Sequence, residues 1–226
     1  MAKKNWIIPE NELLDGSKLA LKNSDELYKS AQILFDNKRY AHALSIATLA
    51  LEEFGKHCIL KEHAMSNTKI DSEYWFDTIT KHDKKLHAIP DDLGKYQNQT
   101  NHQKSELQRY RTYLLKLSKM KLKHLYLDWD DINKKWSLIV NSKSTEETSK
   151  FAVETAHWTI EKYIEDVGWD RELLFMPYKE VISNFKNKKI HAFCGICSIV
   201  ILNNSELQSH RKKFPEHDGK VSWHHS

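Results

Sequence analysis

The stretch Ala41-His-Ala-Leu-Ser-Ile-Ala-Thr-Leu-Ala-Leu-Glu-Glu-Phe-Gly-Lys-His-Cys-Ile-Leu60 decides how this chain is read. Stepped at the helical angle, Ala43, Ile46, Ala47, Ala50, Phe54 and Cys58 fall on one face, and Glu53 and His57 lie inside that face. Leu44, Thr48, Leu51 and Ile59 cover much of the remainder. A helix apolar nearly all round is packed by neighbours on several sides. Glu52, Glu53, Lys56 and His57 within it are therefore expected to be partly desolvated, and charges in such a place must meet partners or do chemistry. A purely structural reading pairs Glu52 with Lys56 and Glu53 with His57, both i,i+4 contacts. A functional reading makes them part of a reactive pocket.

Working outward, Leu27, Ala31, Leu34 and Phe35 recur at helical spacing and stop at the polar break Asp36-Asn37-Lys38, which ends a first helix. The central helix follows almost at once, and short links between long helices imply antiparallel neighbours in an up-and-down bundle. Trp75, Ile79, His82, Leu86 and Ile89 suggest a third helix ending at Pro90, with His82 on its buried stripe. The polar segment 91–103 reads as a loop. Leu107, Tyr110, Leu114, Leu117, Lys121 and Leu125 mark a long basic fourth helix, with Arg111 and Lys121 bordering its inner face. Asp131 to Lys135 are expected to turn a short β-hairpin. Phe151, Thr155, Trp158 and Lys162 lie on one side of a fifth helix over 146–167, with Gly168 as its stop.

Composition agrees with an all-α architecture. Six Gly and four Pro in 226 residues are too few for a turn-rich sandwich or barrel. The net charge of +4, from 35 basic and 31 acidic side chains, is a weak argument for nucleic acid, so local clusters matter more. No apolar run approaches the roughly 20 residues that span a bilayer, and Met-Ala-Lys-Lys-Asn is not followed by the core of a signal peptide. The expectation is a cytoplasmic protein with no membrane partner. Three cysteines, two of them in a Cys-x-x-Cys pair, argue for metal rather than disulfides.

The tail carries that pair. Cys194-Gly-Ile-Cys197, twelve residues and then His210 reproduce the spacing of a two-Cys, two-His zinc finger, with Ile201 and Leu207 as its miniature core. His217 is the candidate fourth ligand, although six residues that include Pro215 separate it from His210; His191, Asp218, His224 and His225 are substitutes. Structural zinc stabilises segments too short to fold on a core of their own. The positions that would face bases, Asn203, Glu206 and Ser209, make a poor sequence reader, so docking or bracing is the expected use of the tail.

Three runs in order, Ala50-Leu-Glu-Glu-Phe-Gly-Lys56, Lys81-His-Asp-Lys-Lys85 and Lys123-His-Leu-Tyr-Leu-Asp128, resemble the AbiV family of bacterial abortive-infection proteins, within the HEPN helical superfamily. The likeness spans roughly residues 20–165 and omits the tail. It implies a HEPN-like up-and-down bundle over 10–168; the Cys and His spacing adds a zinc-binding ββα tail (190–226), and a connector (169–189) lies between the two. The likeness also implies an antiphage, toxin-like protein that arrests translation, a homodimer, and a phage-encoded activator. The resemblance also implies a motif that many HEPN ribonucleases carry, an Arg separated by four to six residues from a His. The expectation is that this chain lacks the pair: Arg39 precedes His42 by too little, and Arg109 and Arg111 have no His at that distance.

Metal-independent RNA cleavage without that motif needs a base, an acid and fixed cations. Glu52, Glu53, Lys56, His82 and Lys85 form the candidate catalytic set, and Arg111, Lys121, Lys123, Tyr126 and Asp128 the candidate substrate-binding set. The alternative is a non-enzymatic module that grips RNA, the ribosome or a phage protein. A di-metal site is set aside, because neither Glu52 nor Glu53 has a His three residues on.

Overall fold

Two long helices, α1 (Glu10–Asp36) and α2 (Tyr40–Met65), are joined by three residues. The reversal is built at Asn37–Arg39, whose N–H groups bond the carbonyls of Ile33, Phe35 and Leu34. Lys38 takes the left-handed conformation, φ 58°, in which helices commonly end. The hydroxyls of Ser24 and Ser17 fix the antiparallel register. Ser24 Oγ donates to the Ala50 carbonyl at 2.7 Å and Ser17 Oγ lies 2.8 Å from His57 Nδ1. The first helix thus ends where the sequence indicates.

In this computed structural model the described residues are 5–95, 101–125, 128–130, 135–137, 143–167, 175, 192–194, 199–201, 204–213 and 221–223. Ahead of α1, strand β1 (Ile7–Ile8) pairs antiparallel with β2 (Ile70–Asp71). Asp71 then caps the short helix α3 (Ser72–Tyr74) by accepting from the Tyr74 N–H at 2.8 Å. The chain continues through a π turn, Trp75–Ile79, into α4 (His82–Lys95).

This corrects the expectation of one helix ended by Pro90. The helix restarts at His82 and passes through Pro90. The proline removes one donor, and burial of Leu86 and Ile89 on the same helix holds the turn in place against that cost. The segment 91–103 is likewise helical at both of its ends rather than a loop throughout.

Among the described residues the bundle continues with α5 (Asn101–Leu125), a hairpin of β3 (Asp128–Asp130) with β4 (Lys135–Ser137), and α6 (Lys143–Val167). The hairpin is antiparallel with Trp129 opposite Trp136, where the sequence expects a turn. Helix α2 touches α1, α4, α5 and α6, which explains why it is apolar nearly all round. Its Leu44, Leu51 and Phe54 meet Leu21, Leu86, Ile89, Leu114, Leu117 and Ile160 in the main core. A smaller cluster of Leu13, Leu14, Ile59, Leu60, Ile70 and Ile79 closes the end near β1 and β2.

In the tail, β5 (Ala192–Cys194) pairs antiparallel with both β6 (Ile199–Ile201) and β7 (Val221–Trp223), and helix α7 spans Asn204–Lys213. Leu207 is buried within the main core cluster of the bundle. That places it against the helical body, whereas the sequence reading assigns it to a miniature core with Ile201.

Candidate functional site

Glu52 is the centre of the buried polar chemistry. Its side chain is 1% exposed, yet it faces three cationic or ionisable groups from two other helices. Lys121 of α5 donates to Oε1 at 2.7 Å, His82 at the start of α4 lies 2.7 Å from Oε2, and Lys85 one turn on is 3.9 Å from Oε2. Lys121 is itself 3% exposed, so its charge is held inside the protein by this carboxylate. The His82 side chain is 52% exposed. One edge of its ring therefore meets the carboxylate while the rest reaches solvent.

The tautomer follows from the acceptor. A carboxylate oxygen at 2.7 Å accepts a hydrogen from Nδ1, which leaves the Nε2 lone pair of the neutral ring directed away from Glu52. Lys121 Nζ lies 3.2 Å from the same Nδ1, so an ammonium and an imidazole N–H crowd around one carboxylate. For Lys85, burial lowers the pKa below its ordinary value. The charge on Glu52 opposes that shift, Lys56 and Lys121 add to it, and Glu53 opposes it. A nearby pair, Lys56 Nζ to Glu53 Oε1 at 2.5 Å, runs i,i+3 along α2.

Gly55 makes this assembly possible. A Cβ there would stand 2.5 Å from the carbonyl carbon of Lys85 and closer still to its oxygen, so α2 and α4 touch backbone to backbone at this point. The contact sets the first turn of α4, and with it His82 and Lys85, against Glu52. The sequence offers a signal for this residue, a single glycine inside an apolar helical run, which costs about 1 kcal/mol relative to alanine unless a close approach requires it.

The structure thus brings Glu52, His82, Lys85 and Lys121 together and sets Glu53 and Lys56 beside them. Neither i,i+4 pairing expected within α2 is the one formed: Lys56 goes to Glu53, and Glu52 turns to α4 and α5. His57 faces the opposite way, toward α1. Its Nδ1 is 3.0 Å from the Ser17 carbonyl oxygen, and Tyr163 presents a ring edge to it at 5.0 Å. Burial first, and the nearby Lys61 second, push the His57 pKa down to about 3, with the Ser17 bond opposing, so the ring is a neutral core imidazole.

Arg111 is half-buried on α5 and donates to Gln108 Oε1 at 3.2 Å. Tyr126 and the side chains of Lys123 and Asp128 fall outside the described residues, as do Cys197, His217 and the side chains of Cys194 and His210. Among the described residues, no group of three or more His, Cys, Asp or Glu is placed to hold a metal. No helix among them is long and apolar enough to cross a membrane.

A family model, HEPN_AbiV, matches residues 12–161, a span that contains Glu52, Gly55, His82, Lys85 and Lys121. The chain belongs to the AbiV family. No curated protein and no solved structure matches it significantly. Membership in AbiV points to abortive-infection defence. The match runs from the first turn of α1 to the latter part of α6 and stops short of the tail. The expectation that the chain lacks an Arg-x4-6-His pair is corrected by the sequence itself: Arg211 and His217 are separated by five residues, although in the tail and outside the family match.

Proposed function

We propose that this AbiV protein acts in antiphage abortive infection by arresting translation, and that it does so by metal-independent RNA cleavage at the Glu52–His82 centre. The observation that carries the reading is a half-exposed imidazole whose Nδ1 is bonded to a buried carboxylate. In that arrangement the carboxylate fixes the orientation of the ring and of its free nitrogen, as required of a general base. His82 Nε2 removes the 2′-hydroxyl proton, the 2′ oxygen attacks phosphorus, and the bond to the 5′ oxygen breaks. Lys85, whose ammonium burial makes more acidic, protonates the departing oxygen. The positive end of α4, which begins at His82, favours the phosphate at the same place.

The protein acts as a cytoplasmic homodimer under the control of a phage-encoded activator. Its tail binds structural zinc through Cys194, Cys197, His210 and His217. Support for the zinc reading comes from the Cys-x-x-Cys spacing between two antiparallel strands, followed by a helix that carries His210. A second reading, a non-enzymatic module that binds RNA, the ribosome or a phage protein, is favoured by the completeness of the Glu52 contacts, which a purely structural network would also have.

Induction followed by inspection of total RNA separates the two. Discrete new fragments in the wild type that vanish in His82→Ala are the expected result. Full toxicity in His82→Ala refutes the cleavage reading, and intact RNA with arrested protein synthesis supports the binder.

A further inference from the structure

Helices α5 and α6 leave an open cleft of about 270 Å³ lined by Tyr113, Lys116, Met120, Glu147, Thr148 and Phe151. We propose that this cleft takes a nucleobase of single-stranded RNA, stacked on Phe151, with the Glu147 carboxylate accepting from an exocyclic amino group of the base. The inference rests on the RNA-directed reading above and extends it to a binding site that the Glu52 centre does not include.

Three observations carry it. Phe151 is 51% exposed, although it packs perpendicular to Tyr113 with ring centroids 4.4 Å apart, so the ring is held in place while about half of it stays open to solvent. Two helical turns further along α6, about 10 Å by helical rise, Trp158 repeats the arrangement, 54% exposed and edge-on to Tyr110 at 6.2 Å. Tyr110 is locked by a 2.6 Å hydrogen bond to Thr159. Two braced, exposed rings in line on one helix are platforms for successive bases, because every base offers a π-face.

Charge supplies the second argument. Helix α5 carries seven Lys and Arg against one Glu. Arg109, Lys116 and Lys119 on it are exposed, so a phosphate backbone running along α5 is attracted without any requirement on sequence. The third argument is the cleft's polar edge. Glu147 is exposed at the mouth, and a carboxylate there repels phosphate but accepts from the amino group of cytosine or adenine. Met120 lines the cleft, whereas its neighbour Lys121 turns inward to Glu52, so the cleft and the Glu52–His82 centre lie on different faces of α5.

The test uses the full-length protein and fluorescein-labelled RNA octamers, C8, A8 and U8, with an abasic octamer of the same length, read by anisotropy. C8 and A8 should bind more tightly than U8, and all three more tightly than the abasic strand. Phe151→Ala should weaken C8 binding by roughly tenfold, the scale of one lost base–aromatic stack, and leave the abasic strand unchanged. Phe151→Tyr, which keeps the ring, should restore it, and Glu147→Gln should remove the preference over U8. Equal affinity of the abasic strand and C8, or unchanged C8 binding in a folded Phe151→Ala, overturns the proposal. If Phe151→Ala instead converts a dimer to a monomer in sedimentation while C8 binding persists, the face belongs to a second copy of the chain and the proposal fails. His82→Ala should retain C8 binding, so loss of cleavage in that variant and loss of base recognition in Phe151→Ala are separate outcomes.

Discussion

Replacing Gly55 by Ala tests the geometry on which the Glu52 centre depends. The added Cβ would stand 2.5 Å from the Lys85 carbonyl carbon and closer still to its oxygen, against an optimum near 3.5 Å for non-bonded heavy atoms, so more than about 1 Å of separation is missing. The obstacle is backbone on both sides and cannot yield by a rotamer change; the first turn of α4 must move away from α2. Overpacking of this kind costs about 1–3 kcal/mol, and a backbone clash belongs at the upper end. Better helix propensity of alanine returns up to about 1 kcal/mol. The net loss should be about 2 kcal/mol, which for a chain of this size lowers Tm by roughly 4–8 °C.

Gly16→Ala is the matched control. Its Cβ would meet only the tip of the Leu60 side chain, at 3.3 Å, which can rotate aside. That variant should be neutral or slightly more stable. Urea denaturation of both, with a common m-value, gives the comparison. A displacement of α4 by 1 Å also breaks the 2.7 Å contact of His82 with Glu52, so the His82 imidazole signals in Gly55→Ala should move toward those of a solvent-exposed histidine. Equal gains in stability for the two glycine variants would refute the argument that α2 and α4 meet backbone to backbone.

Glu52→Gln leaves the buried charge of Lys121 and the largely buried Lys85 without a counter-ion, and should cost about 3 kcal/mol at neutral pH in denaturant melts; a loss below about 0.5 kcal/mol, the range of surface substitutions, would make the network inert. His57 contributes in full above its unfolded pKa of 6.5 and loses that contribution as pH falls toward its folded value of about 3, because the unfolded chain takes up a proton that the native ring refuses. Between pH 7 and pH 5 the wild type should therefore lose about 2 kcal/mol more stability than His57→Gln; identical slopes in the two proteins would contradict a neutral buried ring. Lys18 titrates in the opposite part of the scale, since burial lowers its pKa to about 8, and stability should rise between that pH and 10.5 in the wild type but less in Lys18→Met. Zinc measured on the purified chain should be stoichiometric and disappear in Cys194→Ser, since one missing thiolate strips a structural site; zinc-free wild type that retains its tail fold would remove the metal.

Helix existence was legible because it follows from local chemistry. The 3.6-residue spacing of Leu27, Ala31 and Leu34, the polar break at Asp36–Lys38 and the all-round apolarity of 41–60 each report how a segment is buried, whatever it packs against. The hairpin at Trp129 and Trp136 was equally local. The helix through Pro90 was not. Whether a proline ends a helix depends on the packing of Leu86 and Ile89, a tertiary quantity absent from the local pattern.

Within the site, sequence alone picked out the carboxylates of α2 and the histidine of the third helical region as buried or stripe-facing polar groups. Partner choice came only from the tertiary structure. Glu52 and Glu53 are neighbours in sequence and point about 100° apart on a helix, so one is drawn to Lys121, His82 and Lys85 and the other to Lys56. Which carboxylate receives which cation is fixed by the close crossing at Gly55 and by the arrival of α5 from 69 residues away. An amino-acid chain states which charges must be buried; the angles at which its helices cross decide which of them meet.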